Sequence, residues 1–375
     1  MKVALDATFS ALRFGGTGTY TRELASRLPH ILGHAFVTIR CPRLPSPLRG
    51  RVGSKVETLY RDLWWTPRGA ARAASSAGAT LLHVPAPVGP TSLEIPFVLT
   101  VHDLSVLRFP EFFRPWFRTT ARVVIPRAAR AAAHVITVSE AAKSDILEHL
   151  ALPADKLSVI PNGVAPEFRP VDTASDLAAE VRARYALPEV FALAVGVIEP
   201  RKNLLRLLLA VETLRSRPAT ADMTLVHVGP YGWLSRDVLR RAELLAAKRA
   251  VLVLGPVPAN DLSALYSLAR LTAYPSLYEG FGLPVLEAMA CGSPVVTSEV
   301  GALPEVAGEA AVYVDPTSPE SIAEGMERVW MDETLRARLR QRGLERAKCY
   351  TWEVSARRSA EVYQRVAPGL SQLAR

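Results

Sequence analysis

The feature that most limits what this chain can fold into is a pair of strand–helix series. Short apolar runs of strand length recur through the first half, at Val3–Leu5, Ala35–Ile39, Leu81–Val84, Phe97–Val101, Val135–Val138 and Leu157–Ile160. Amphipathic stretches such as Tyr20–Leu28 and Glu140–Leu150 separate several of them. Such runs, alternating with helical stretches, predict a parallel sheet covered on both faces. A second series starts near residue 190, with runs at Phe191–Val195, Thr224–Val228, Val251–Leu254, Leu271–Tyr274, Pro294–Thr297 and Ala311–Val314. Helical segments at 203–215, 236–248, 259–268, 284–290 and 319–330 accompany it. Between the series lie Pro161-Asn162-Gly163, Pro166, Pro170 and a polar stretch to about 188, which reads as a hinge region. At 375 residues the chain is too long for one ordinary core. The expectation is an α/β protein of two Rossmann-like domains, 1–170 and 171–349, facing each other across a cleft. The helical period of Trp352–Val366 lets the segment from about 350 to 375 pack back across the hinge. In open sheets of this kind, ligands bind outside the carboxyl ends of the strands.

Composition removes several other classes. With 49% apolar and 22% charged residues the chain is globular rather than disordered. No apolar run is long enough to cross a bilayer, and Met1-Lys2-Val3-Ala4-Leu5 meets Asp6 without a leader-like apolar region. Cys41, Cys291 and Cys349 are odd in number and far apart, which suits neither a disulfide framework nor a zinc site and points to a reducing cytoplasm. Charge is unevenly placed. Residues 1–170 carry 21 Lys and Arg against 12 Asp and Glu, whereas residues 171–375 carry 24 of each. A basic first half suits an anionic partner (phospholipid, nucleic acid or a phosphorylated substrate), although an Arg-rich composition alone gives the same count.

Two stretches of the second half carry most of the chemistry. The first runs from Pro275 to Ala290. Gly280 and Gly282 allow close backbone approach to a ligand, and Pro284 suits the first turn of a helix. The loop therefore offers backbone N–H groups and a positive helix end, a ready diphosphate site. Glu279 precedes that helix and Glu287 lies about one turn inside it, so one carboxylate can hold sugar hydroxyls and the other ribose hydroxyls. An ordinary strand–helix turn with two surface glutamates is the plain alternative. The second stretch is Gly196-Val197-Ile198-Glu199-Pro200-Arg201-Lys202-Asn203, where Arg201 and Lys202 can neutralise a pyrophosphate leaving group.

Three first-half stretches are weaker. Gly15-Gly16-Thr17-Gly18-Thr19-Tyr20 precedes a helix and can cradle phosphate, but Thr21 stands where a dinucleotide fingerprint needs its third glycine. Thr100-Val101-His102-Asp103 puts a histidine at a strand's carboxyl end, where a structural role competes with a chemical one. From Arg108 to Arg130, Arg108, Arg114, Arg118, Arg122, Arg127 and Arg130 interleave with Phe109, Phe112, Phe113, Trp116 and Phe117. That mixture suits an anionic membrane surface, or else a helix with an aromatic core face. No His-x-Glu, CxxC or Asp-x-Asp cluster recommends a metal, and the cations and helix end can take over the charge-stabilising role.

Together these stretches resemble glycosyltransferase family 4, retaining enzymes with the two-domain GT-B fold. Glu279 to Glu287 matches the family's pair of glutamates, Arg201-Lys202-Asn203 its phosphate-binding segment, and Pro161-Asn162-Gly163-Val164 the approach to its hinge. Val138-Ser139-Glu140 and Thr100-Val101-His102-Asp103 look like its N-terminal landmarks. The resemblance implies a hexosyltransferase using a nucleotide diphosphate-sugar, without cofactor, metal or nucleic acid. By position it puts Glu287 on the ribose, Glu279 on the transferred sugar, Phe281, Gly282 and Leu283 at sugar hydroxyls or phosphate, and Val285 near the pyrophosphate. Arg201 and Lys202 would stabilise the departing diphosphate, with Gly16 near the donor and His102 near the transferred sugar. Many members carry Arg where this chain has Val197, which throws more of the phosphate charge onto Arg201 and Lys202. Likeness to mannosyl- and rhamnosyltransferases of bacterial surface polysaccharide assembly suggests GDP-mannose and a lipid-linked or saccharide acceptor, handled at the inner face of the cell membrane. The rivals are a non-catalytic, membrane-associated sugar-nucleotide-binding protein and an NAD-dependent oxidoreductase. The incomplete glycine fingerprint argues against the latter.

Overall fold

A computed structural model describes residues 2–11, 15–42, 60–90, 95–233 and 235–367, without the side chains of residues 62 and 63. Two compact units emerge, one made of 1–163 with 352–375 and the other of 164–351. In the first, the described residues form a sheet of six parallel strands: β1 (Val3–Asp6), β2 (Phe36–Ile39), β3 (Leu81–Val84), β4 (Phe97–Thr100), β5 (His134–Thr137) and β6 (Leu157–Val159). Their order is β2-β1-β3-β4-β5-β6. Strands β1, β3, β4 and β5 are buried along their whole length, as uninterrupted apolar runs require.

The second unit holds β7 (Ala192–Val195), β8 (Leu225–Val228), β9 (Val251–Gly255), β10 (Leu271–Tyr274), β11 (Val295–Ser298) and β12 (Ala311–Val314), all parallel. Their order, β12-β11-β10-β7-β8-β9, is that of a dinucleotide-binding sheet. The strand order reverses between β7 and β10. In sheets of this order, ligands bind outside the carboxyl ends of the strands at such a reversal.

The polar stretch before residue 188 differs from the hinge expected there. Ser175 caps a helix, Asp176–Arg184, by accepting from the Ala178 amide at 3.3 Å. Arg184 and the Tyr185 hydroxyl both bond Asp261, at 2.8 and 2.6 Å, which fastens this helix to the helix Ala259–Leu268 of the same unit. The Ser267 hydroxyl accepts from the Val171 amide at 3.0 Å. The chain therefore passes between units at Gly163–Val164 rather than near 170, and returns at Thr351–Trp352. Val164 bridges Thr351, so the two connections run side by side.

The closing helix, Trp352–Val366, is grouped with the first unit. Trp352 and Tyr363 are fully buried there, and Ser355 donates to the Pro161 carbonyl. Residues 368–375 of the expected C-terminal segment lie outside the described residues. A further helix, Glu333–Ala347, packs against the helix Leu283–Ala290 that follows β10.

Candidate functional site

Beyond β7 the chain makes a tight reversal built on a proline and an asparagine. Pro200–Lys202 make a single turn, and Asn203 sits at φ 59°, a left-handed conformation that asparagine tolerates. The Asn203 amide then donates to the carbonyls of Pro275 (2.9 Å) and Pro316 (2.6 Å), while the Leu277 amide donates to the Arg201 carbonyl at 2.9 Å. The loops leaving β7 and β10 are thus laced together beyond the carboxyl ends of those strands.

This lacing brings the sequence-expected residues of the second unit into one cluster. Arg201 spreads its guanidinium, Nη1 donating to the Tyr278 carbonyl (3.0 Å) and to Glu279 Oε2 (2.7 Å), Nη2 to Glu199 Oε1 (2.9 Å). Lys202 Nζ donates to Glu279 Oε1 at 2.6 Å and to the Tyr274 hydroxyl at 2.5 Å. The Tyr274 hydroxyl in turn donates to Glu279 Oε1 at 2.9 Å. Burial raises the Glu279 carboxyl, but the two cations outweigh it and hold it down at about 2. Burial and the neighbouring guanidinium pull the Lys202 ammonium below its usual value, against the opposing pull of Glu279 and Glu199. With two cations on one carboxylate, Glu279 is the group whose charged form gains most. Burial and the adjacent Glu279 keep Tyr274 protonated, and therefore a donor.

Glycines shape the rest of the loop. Gly301 is at φ 56°, and a Cβ there would stand 2.6 Å from the Glu279 carbonyl, so only glycine lets residues 301–302 brace that backbone. The Ala302 amide donates to the same carbonyl at 3.0 Å. Gly282, at φ 102°, precedes the helix Leu283–Ala290. Val285 and Leu286 close onto the Gly282 carbonyl, which leaves the N–H groups of Phe281, Gly282 and Leu283 without an acceptor inside the helix. A helix N-terminus with such amides is a favourable place for an anion. Val285, expected near the pyrophosphate, is fully buried, and its amide donates to the Gly282 carbonyl at 3.0 Å. Phe281 itself packs edge-on against Tyr350. One turn into the helix, Glu287 accepts from the Tyr266 hydroxyl at 3.1 Å, and burial, against that hydrogen bond, raises its carboxyl to about 7.

Gly16 and His102 belong to the first unit. Gly16 opens the helix Gly16–Leu32 behind Gly15 at φ 99°, and residues 12–14 before it lie outside the described residues. His102 follows β4, half-buried, with Nε2 3.3 Å from the Pro85 carbonyl and its ring edge-on to Tyr20 at 4.9 Å. A carbonyl can only accept, so the proton sits on Nε2 and Nδ1 is the acceptor. Burial lowers its pKa, against the opposing pull of Asp103 and the Pro85 carbonyl, and keeps the ring neutral. Beneath it His83, lowered to about 3 by burial, joins Tyr363 (2.6 Å) and Thr100 (2.8 Å).

The basic aromatic segment divides into two parts. Arg108 pairs with Asp145 and lies over Phe109, which stacks on Phe112. The helix Pro115–Ala131 turns Ala121, Ile125, Ala128 and Ala129 to the core and leaves Trp116, Phe117, Val123 and Val124 exposed, Trp116 by 59%.

The sequence pattern gives Glu199 no role, places Asn203 only within the phosphate-binding segment and makes Tyr274 only a strand end. The signal was present, since Asn203 directly follows the cation pair and Tyr274 lies five residues before Glu279 at the end of the adjacent strand. It needed the strand order to be read.

A model for glycosyltransferase family 4 matches residues 14–168, and one for glycosyl transferases group 1 matches residues 180–346. O-antigen chain mannosyltransferase B of Escherichia coli is 34% identical over 270 residues, 71% of this chain and 70% of that protein. Serotype-specific mannosyltransferase WbdA of Escherichia coli is 32% identical over 273 residues, 72% of this chain but 33% of that longer protein. Sucrose-phosphate synthase from Thermosynechococcus elongatus superposes with a TM-score of 0.76 at 22% identity, covering 98% of this chain and 100% of the other, a likeness of fold. Two six-stranded parallel sheets in the GT-B pattern, the cation pair laced to Glu279, and a mannosyltransferase relative matched over 70% of its length agree. The chain belongs to glycosyltransferase family 4.

Proposed function

We propose that this glycosyltransferase takes mannose from GDP-mannose and passes it, with retention of configuration and without a metal, to a saccharide or lipid-linked acceptor at an anionic membrane surface. The observation that carries the reading is the position of Arg201, Lys202 and Glu279 between the carboxyl ends of β7 and β10. Departure of the sugar leaves its bonding pair on the diphosphate, so the barrier falls with whatever stabilises that oxygen anion. Arg201, Lys202 and the amides of Phe281, Gly282 and Leu283 supply this charge compensation. Glu279 holds the sugar hydroxyls and Glu287 the ribose, with Gly16 and the neutral His102 acting from the first unit. Mannose is supported by the names of the two relatives, both mannosyltransferases. Membrane docking is supported by the exposed Trp116, Phe117, Val123 and Val124 beside Arg114, Arg122 and Arg127, in a stretch with no acid between Glu111 and Glu140. Among the described residues no helix is long and apolar enough to cross a membrane.

The test is a panel of nucleotide sugars, read by thermal stabilisation and by transfer to a lipid-linked saccharide extract. GDP-mannose should raise the melting temperature and give labelled product in the presence of a chelator. If no sugar nucleotide stabilises the protein, the donor reading fails. If GDP-mannose binds but is never consumed, a sugar-nucleotide-binding protein takes its place.

A further inference from the structure

Glu199 has no part in the transfer proposed for this site, yet it is a buried carboxylate, only 5% exposed, and it occupies one arm of Arg201 while Glu279 occupies the other. Its backbone carbonyl also accepts from the Lys202 amide at 3.1 Å. The four ionic side chains Glu199, Arg201, Lys202 and Glu279 therefore cancel before any ligand arrives. A site meant only to grip a diphosphate would gain from leaving out the second carboxylate, because each unit of net positive charge strengthens anion binding.

We propose that Glu199 is a positioning residue that sets the charge of the Arg201–Lys202 pair, so that the site holds a nucleotide-sugar but still releases the nucleoside diphosphate it becomes. The proposal rests on the reading of these cations as the diphosphate site. In transfer the bond between the anomeric carbon and the phosphate oxygen breaks, and its electron pair leaves with that oxygen. The acceptor oxygen bonds the carbon and gives its proton to solvent. The nucleotide thus goes from about two negative charges to about three at neutral pH, since a terminal phosphate loses its second proton near pH 6. An uncompensated cation in the site favours product over donor by the interaction with that one extra charge, roughly tenfold at the intermediate effective dielectric of a partly buried site.

The experiment is calorimetric titration of the full chain and of Glu199→Gln with GDP and GDP-mannose, and with UDP and UDP-glucose as a second pair. In Glu199→Gln the preference for the nucleoside diphosphate over its sugar nucleotide should rise about tenfold. Turnover should slow with a lower KM for donor, as expected when product release becomes limiting. Glu199→Asp should return the preference toward the native value. Glu199→Met, neutral and of similar length, should repeat the shift and covers the case in which the amide variant folds poorly. Equal weakening of donor and product in both neutral variants would overturn the proposal and leave Glu199 as a prop for the guanidinium. If the native chain binds neither pair, the donor-site reading falls and takes this one with it, an outcome visible in the unmutated arm alone.

Discussion

At the scale of single residues, the cation pair and Glu279 form one unit rather than three independent groups. On the proposed mechanism Lys202→Ala removes a charge that stabilises the departing diphosphate, and transfer should fall about 100-fold, a loss of about 3 kcal/mol of barrier stabilisation. The variant keeps Arg201 on Glu279, so its melting temperature should stay close to native. Glu279→Ala is different. It should cut transfer at least as far, but it also strips the shared partner from two partly buried cations, and we expect about 2 kcal/mol of lost stability in the absence of nucleotide. Steady-state transfer and thermal melts on both variants separate these expectations, and near-native turnover in either would defeat the assignment.

Glu287 gives the pH dependence. Its folded-state carboxyl stands at about 7, above the ordinary value of 4.5. Protonation therefore stabilises the folded chain below the ordinary value, and this contribution is lost as pH rises through about 7. On the proposed donor site, the ionised form accepts from the ribose hydroxyls with both oxygens and more strongly than the neutral acid does. Donor affinity should weaken up to tenfold between pH 8 and pH 6, and Glu287→Gln should flatten that dependence while gaining about 3 kcal/mol of stability at pH 8. A native profile flat over that range would show that Glu287 does not titrate there or does not hold the ribose. The positions of these residues were legible in the sequence, because glycines, Pro284 and the two glutamates stand at fixed offsets. The pairing of Glu199 with Arg201 and of Tyr274 with Lys202 was not, because it depends on which strands are neighbours.

At the scale of elements, the strands were legible almost to the residue because parallel strands buried on both faces are uninterrupted apolar runs. Several helices were not, among them Asp176–Arg184 and Glu333–Ala347. Asp176–Arg184 buries only Ala178 and Val181, and a polar, capped helix of that kind reads as linker until Asp261 is seen to hold it. Glu333–Ala347 is rich in arginine, yet Leu335, Leu339, Gly343 and Ala347 make a one-in-four stripe that a search for helical period alone would have found. The exposed helix Pro115–Ala131 shows another pattern, three alanines and Ile125 inward and Trp116, Phe117, Val123 and Val124 outward. Arg118→Glu with Arg122→Glu should lower binding to vesicles containing anionic lipid by at least tenfold, and added salt should do the same to the native chain. Trp116→Ala should weaken binding even at low salt. Indifference to all three would make this face an ordinary surface.

At the scale of the whole molecule, the chain crosses between its units twice and places its last helix in the unit where it began. That helix is part of the first unit's interior. Trp352 packs edge-on against Tyr20, Tyr363 bonds His83, and Arg27 pairs with Glu353 at 2.7 Å. A chain ending at Thr351 loses all of these and uncovers the face of Tyr20 that packs on Trp352, while the sheet β7–β12 with Arg201, Lys202, Glu279 and Glu287 remains in the chain. Removing one large buried aromatic alone costs about 3–5 kcal/mol, and two leave the first unit with little stability. Such a chain should show an early or missing unfolding transition for the first unit, and no sugar transfer on the proposal that Gly16 and His102 act from it. It should still be stabilised by GDP to within a few degrees of the full chain. If GDP stabilisation disappears with the closing helix, the nucleotide is held by the first unit as much as by the second, and the division of labour argued from the cation cluster is wrong.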